Sequence, residues 1–219
     1  MDNSKIIGLP VLISTRLRIV LSKNLCSQCQ IPQNGTIHAQ FDEHSFAIFP
    51  KSADNRHTEC KQMTLGRFNI PIFWAKANGT SVGKTVFLLA ADNCLQISSE
   101  PLTHNQCLQK HVYGIPVVIR DRNFVYIPKS LWLYYGIDSK HGNVIREEQS
   151  EQVLFQKAHL HNQQSSGANL HVSNCRIPVS PSWRKQHNLS IGDFLWLFGT
   201  DMGPVLSLRP VSQMLSGKE

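Results

Sequence analysis

Three cysteine-centred pairs have the spacing to hold a metal ion: Cys26-x-x-Cys29, His57-x-x-Cys60 and His104-x-x-Cys107. Together they could supply four soft ligands. Structural zinc sites, however, show two paired knuckles at regular spacing, and the chain has no second Cys-x-x-Cys. Cys26, Cys94 and Cys175 are better read as small buried residues, and no metal ligand is assigned. A phosphate loop fails by one residue. Gly79-Thr80-Ser81-Val82-Gly83-Lys84-Thr85 ends in Gly-Lys-Thr, but the full motif needs a glycine at position 78, where Asn78 stands. No Gly-x-Ser-x-Gly, dinucleotide fingerprint or His-Glu-x-x-His is present, and the acids are scattered, with Asp42-Glu43 and Glu147-Glu148 the densest pairs. No catalytic or cofactor-binding residue is therefore assigned, and the chain is read as a non-enzyme.

The remaining chemistry is cationic. Lys and Arg number 22 against 15 Asp and Glu, a net charge of +7, while only 17% of residues are charged. An excess of this sign in a charge-poor chain favours a polyanionic partner: DNA, RNA or an acidic membrane face. The longest apolar run, Val86 to Ala91, is strand length, far below the roughly 20 residues of a spanning helix. Ile6-Ile7-Gly8-Leu9-Pro10 is too short and broken for the apolar part of a leader peptide, so a cytoplasmic protein with free thiols, held away from membranes, is expected.

The elements that carry these cations come from an internal repeat. Gly66-Arg67-Phe68-Asn69-Ile70-Pro71-Ile72-Phe73-Trp74 aligns with Cys175-Arg176-Ile177-Pro178-Val179-Ser180-Pro181-Ser182-Trp183. Twelve residues separate Pro71 from Gly83 and Ser180 from Gly192, and an apolar strand follows each glycine. A third copy starts at Asn123-Phe124-Val125-Tyr126-Ile127-Pro128, with Leu131 in the Trp place. The faintest starts at Arg18-Ile19-Val20-Leu21-Ser22, with Leu25 there. Four units thus begin near residues 16, 66, 122 and 174. Each reads as a short β stretch, a Pro or Ser suited to a helix start, one short helix, and two strands: Phe46 to Phe49, Leu95 to Ser98, Val153 to Gln156 and Val205 to Leu208 in their final strands. The spacers near 50–65, 99–115 and 159–172 are polar and read as linkers or added hairpins. A unit of under about forty residues cannot bury both faces alone, so units must pair. Two domains are expected, 1–105 (repeats near 16–50 and 66–99) and 106–219 (repeats near 122–158 and 174–210).

The fourth unit, Arg176-Ile177-Pro178 through Trp183-Arg184-Lys185, Asn188-Leu189-Ser190-Ile191-Gly192-Asp193, Leu195 and Leu197, resembles the AbrB/SpoVT/MazE swapped-hairpin family. Gly66-Arg67 and Ile70-Pro71 in the second unit, and Ile127-Pro128 and Tyr135-Gly136-Ile137 in the third, share the pattern. The resemblance implies a mainly β fold with short helices, arranged as tandem AbrB-like swapped-hairpin β-barrels built from four pseudo-repeats. It also implies an arginine-rich face on double-stranded DNA. The matching strand arginines are Arg18, Arg67 and Arg176, and the matching helix cations are Lys76, Arg184 and Lys185. Arg120 and Arg122 either replace the arginine that the third unit lacks at position 124 or pair with Asp121 between them. The strand arginines are otherwise ordinary surface residues. Trp74 and Trp183 read as core rather than as base-stacking platforms, since Leu25 and Leu131 occupy the same place.

The leading expectation is a DNA-binding transcriptional regulator or antitoxin-like repressor, nucleoid-associated and needing no cofactor. An adaptor or assembly subunit is the alternative, favoured by the uncharged helices of units one and three and the aromatic run Trp132-Leu133-Tyr134-Tyr135, which is either core or interface. A nuclease on a related barrel comes third. A protein partner or homo-oligomer fits each case, and units could pair within a chain or between chains.

Overall fold

The computed structural model describes residues 5–51, 58–101, 112–158 and 167–216. Four times the chain runs strand, turn, strand, short helix and two-stranded hairpin. The first run is β1 (Ile6–Leu12), β2 (Arg18–Val20), α1 (Lys23–Gln28), β3 (Gly35–Phe41) and β4 (Ser45–Phe49). The second is β5 (Glu59–Met63), β6 (Arg67–Asn69), α2 (Ile72–Ala77), β7 (Thr85–Ala91) and β8 (Cys94–Ser98). The third opens with two short strands, β9 (Val112–Tyr113) and β10 (Ile115–Val118), then β11 (Phe124–Tyr126), α3 (Lys129–Tyr134), β12 (Asn143–Glu148) and β13 (Gln152–Lys157). The fourth is β14 (Ala168–His171), β15 (Arg176–Pro178), α4 (Pro181–Gln186), β16 (Phe194–Thr200) and β17 (Pro204–Ser207), with α5 (Val211–Ser216) after it. The protein is mainly β with short helices, and no helix of the described residues is long and apolar enough to cross a membrane.

Local chemistry recurs with the elements. The turn between the first two strands of each run holds two consecutive residues at positive φ: Arg16-Leu17, Leu65-Gly66, Arg122-Asn123 and Asn174-Cys175. Paired left-handed residues reverse a chain with the twist a ribbon needs, and the five that are neither Gly nor Asn are held there against a steric cost. Each helix starts at a Ser or Pro. Ser22 and Ser180 accept the N–H of Leu25 (3.2 Å) and Trp183 (3.4 Å) at the helix start, while Pro71 and Pro128 fix φ near −60° and −53° at the same place. The helix of each unit, α1 to α4, stops at a left-handed residue: Gln30, Gly79, Gly136 or Asn188. Leu25, Trp74, Leu131 and Trp183 are each at most 2% exposed, so the tryptophans are core side chains.

The structure starts each unit one strand earlier than the sequence suggested. β1 lies before residue 16, β5 and β14 lie in spacers expected to be linkers or added hairpins, and β10 starts at the end of the 99–115 spacer and runs to Val118. Pro10 and Pro116 interrupt two of these strands, and the exposed Glu59-Cys60-Lys61-Gln62 run of β5 lacks a clear apolar alternation, so periodicity did not reveal them.

Units one and two pair within the chain, as do units three and four. β2 lies antiparallel to β6 with Ile19 opposite Phe68, and β11 lies antiparallel to β15 with Val125 opposite Ile177. The remaining strands form one sheet in which the order β1-β7-β8-β4-β3-β5 in the first half is matched by β10-β16-β17-β13-β12-β14 in the second. The two halves are joined reciprocally. The start of β1 pairs with the end of β16 (Ile6 with Thr200, Gly8 with Gly199), and β9 pairs with Ala90 and Ala91 of β7. α1 packs on β10 and α3 on β1.

No closed barrel is formed among the ladders of the described residues, in contrast to the tandem barrels implied by the resemblance. The sheet is an open path from β14 to β5. The physical reason lies in β1, which changes partner at Gly8 (φ 81°) and so ties one half's ladder to the other's. Glycine is required at this crossing: a Cβ on Gly199 would stand 2.6 Å from the Gly8 carbonyl oxygen, and one on Gly114 would stand 2.6 Å from that of Leu197. One apolar core runs through both halves, from Ile19, Phe68 and Trp74 to Val125, Trp132 and Trp183.

Candidate nucleic-acid interface

The two short ribbons put the arginines where they are. Residues directly opposite in an antiparallel pair share a face, and alternate residues along a strand return to it. In the β2–β6 ribbon, Arg18 faces Asn69 and Val20 faces Arg67, so these four share the outer face while Ile19 and Phe68 are fully buried beneath. In the β11–β15 ribbon the outer face carries Phe124, Tyr126, Arg176 and Pro178, over buried Val125 and Ile177. Arg16 and Arg122 sit in the tight turns at φ 63° and 61°.

A cleft of about 940 Å³ opens between the ribbons, and Val20 on one side and Tyr126 on the other both line it. From the outer face of the first ribbon only Val20 reaches the opening, while Arg18, Arg67 and Asn69 do not line it. Arg120, Arg122, Lys129 and Arg176 line it as well, with Asp121 as the single carboxylate. Among the described residues no carboxylate lies within 4 Å of Arg16, Arg18, Arg67, Arg120, Arg122 or Arg176. Asp121 thus forms no ion pair with its neighbours. Arg18 donates from Nε to Asn69 Oδ1 at 3.2 Å, which orients the guanidinium and leaves its charge uncompensated. The Tyr126 phenol is held protonated to higher pH than usual, first by burial and then by its hydrogen bond with Cys175, so it stays a neutral donor beside Arg176.

The helix cations are elsewhere. Lys76 and Lys185 are exposed on α2 and α4, and Arg184 is half-buried with its Nε lacking a hydrogen-bond partner; none of the three borders the cleft. The N-terminal ends of α1 and α3 do border it, through Ser22, Asn24 and Lys129. Asn24 reaches across the halves to donate to the Pro116 carbonyl at 3.0 Å. The aromatic run of α3 divides between core and seam. Trp132 is fully buried, Tyr134 meets the Phe87 ring edge-on at 5.6 Å, and the Tyr135 hydroxyl donates to the Thr200 carbonyl oxygen.

Lys129, Arg16, Val20, Phe124 and Tyr126 were not anticipated. A signal for them exists in the chain: Gly8-Leu9-Pro10-Val11 repeats as Gly114-Ile115-Pro116-Val117, and the same 106-residue spacing relates Arg16 to Arg122, Val20 to Tyr126 and Ser22 to Pro128.

The thiols offer no competing centre. Cys26, Cys29, Cys94 and Cys175 are buried, and Cys60 is exposed with its Sγ 3.8 Å from His38 Nδ1. Burial, reinforced by Cys94 and Cys26, pushes the Cys29 thiol up to about 12. No group of three or more His, Cys, Asp or Glu gathers among the described residues; His57, His104 and Cys107 lie outside them. Comparison with protein-family models, with curated proteins and with solved structures finds no match to this chain.

Proposed function

We propose that the chain binds double-stranded DNA through the outer faces and turns of its two ribbons, acting as a transcriptional regulator or antitoxin-like repressor of the AbrB-like kind. The observation that supports this reading is the set of six arginines, three per ribbon, that form no ion pair with a carboxylate among the described residues. Guanidinium groups suit the task because each can bridge phosphate oxygens or fork onto a guanine edge. Two ribbons related by a repeat present them as a matched pair, which is the arrangement needed to meet two points along a duplex. On this reading each ribbon and its half of the sheet correspond to one pair of AbrB-like units.

The test is binding to mixed-sequence duplex at low salt by the wild type and by Arg67→Ala/Arg176→Ala. Salt-sensitive binding that the double variant weakens while remaining folded supports the proposal. Absence of binding at low salt overturns it and leaves the adaptor reading.

A further inference from the structure

The cleft between the ribbons has a chemistry that phosphate contact does not use. Leu12 of β1 and Val118 of β10 line it together with Val20, Phe124 and Tyr126. Its volume of about 940 Å³ falls at the upper end of the ~300–1,000 Å³ typical of small-molecule sites, which are mostly apolar with a few placed polar groups.

The two sides of the cleft differ in charge although their residues correspond. Val20 and Tyr126 occupy matched places, as do Leu12 and Val118, and Ser14 and Arg120. Yet every basic residue that borders the cleft lies on the side of β11 and β15: Arg120, Arg122, Lys129 and Arg176. The first-half side offers Leu12, Val20 and the uncharged Ser14 and Ser22. The cleft thus has apolar lining on both sides, with Val118 and Phe124 facing Leu12 and Val20, but cations on one side only, where Asp121 is the single carboxylate against four basic residues. A fully polar anion would leave Leu12, Val20 and Val118 in water. A fully apolar molecule would cover guanidinium groups and offer them nothing, at a desolvation cost. Apolar and cationic lining are both satisfied by one kind of molecule.

We propose that this cleft binds an amphiphilic organic anion, an apolar chain or ring system ending in a carboxylate. The apolar part lies against Leu12, Val20 and Val118, and the carboxylate meets Arg122 and Arg176. The site itself does not depend on DNA binding. Its consequence does: because Arg122 and Arg176 are shared, the bound anion displaces duplex if the function proposed above holds.

The direct test is calorimetric titration, without DNA, of octanoate, decanoate and dodecanoate below their aggregation concentrations. Dodecyltrimethylammonium serves as the control of opposite charge. One carboxylate is expected to bind per chain, with affinity rising by up to about 4-fold per added methylene where the chain is enclosed. Arg122→Asn/Arg176→Gln is expected to weaken dodecanoate at least about tenfold, the scale of a lost charge-assisted hydrogen bond. Asn suits the left-handed backbone at position 122, so the variant removes charge without adding strain. Val20→Asp, at a site 56% exposed, puts a hydrated charge where the apolar tail would cover it and is expected to weaken binding without touching the core. Circular dichroism melts establish that both variants are folded. The proposal is overturned if dodecanoate does not bind at millimolar concentration, if the cationic amphiphile binds equally well, or if the folded variants bind dodecanoate as the wild type does. Loss of duplex binding with dodecanoate binding intact would sink only the DNA reading, and the reverse result only this one.

Discussion

Salt dependence gives the proposed interface its sharpest test, because its slope counts charges. Arg16, Arg18 and Arg67 belong to the first ribbon and its turn, and Arg120, Arg122 and Arg176 to the second. If each neutralises one duplex phosphate, counterion release gives a log–log slope of about −5.4, so affinity falls roughly 2,000-fold between 50 and 200 mM salt. Arg67→Ala/Arg176→Ala removes two contacts, the slope relaxes to about −3.6, and the same salt step costs only about 150-fold. Neither change should unfold the chain, since both side chains are exposed and without a carboxylate partner among the described residues. The assay is fluorescence anisotropy of a labelled mixed-sequence duplex at several salt concentrations. Lys76→Ala/Lys185→Ala, on helices that do not border the cleft, is the matched control and should leave the slope unchanged. A wild-type slope shallower than about −2, or a slope that responds to the helix pair and not to the ribbon pair, would refute the ribbon assignment.

Three further outcomes follow from the fold. Leu65 is 64% exposed at φ 51° in the turn before Gly66, so Leu65→Asn should relieve left-handed strain and stabilise by about 1 kcal/mol, raising Tm by roughly 2–4 °C in a thermal melt; a lower Tm would contradict the strain argument. Gly199→Ala should destabilise by about 3 kcal/mol or more in urea unfolding, because the new Cβ meets the Gly8 carbonyl oxygen at 2.6 Å and the Tyr135 hydroxyl at 2.9 Å, and near-neutrality would show that the crossing is loose. The Cys29 thiol, held near 12, keeps its proton in the folded state at pH values where the unfolded chain has lost it. Its contribution is therefore whole below about pH 9 and is lost as pH rises toward 12, at up to about 1.4 kcal/mol per pH unit. Cys29→Ala should flatten that alkaline decline in denaturant titrations at stepped pH, and an unchanged slope would mean that the thiol is not the group responsible.

The sequence by itself determined the plan of the units. Helix position followed from a Ser or Pro start and an apolar residue three places on, because capping and side-chain burial act within one turn. The final hairpin strands were legible for the same reason, being apolar runs behind Gly-rich turns. The ribbon arginines could be named because each precedes its helix at a fixed distance. What only the tertiary structure decided is how the halves meet. The partner change of β1 at Gly8, the reciprocal seating of α1 on β10 and α3 on β1, and the absence of a closed ladder among the described residues depend on contacts about a hundred residues apart. Local periodicity carries no information about such contacts. The same holds for the cleft, whose lining comes from both halves and includes Val20 and Tyr126, ordinary strand residues until the fold sets them on one opening. It also separated the basic residues: Arg120, Arg122 and Arg176 converge, while Lys76, Arg184 and Lys185 stay apart from them on helices, since the direction a cation faces is set by the packing beneath it and not by its place in a motif.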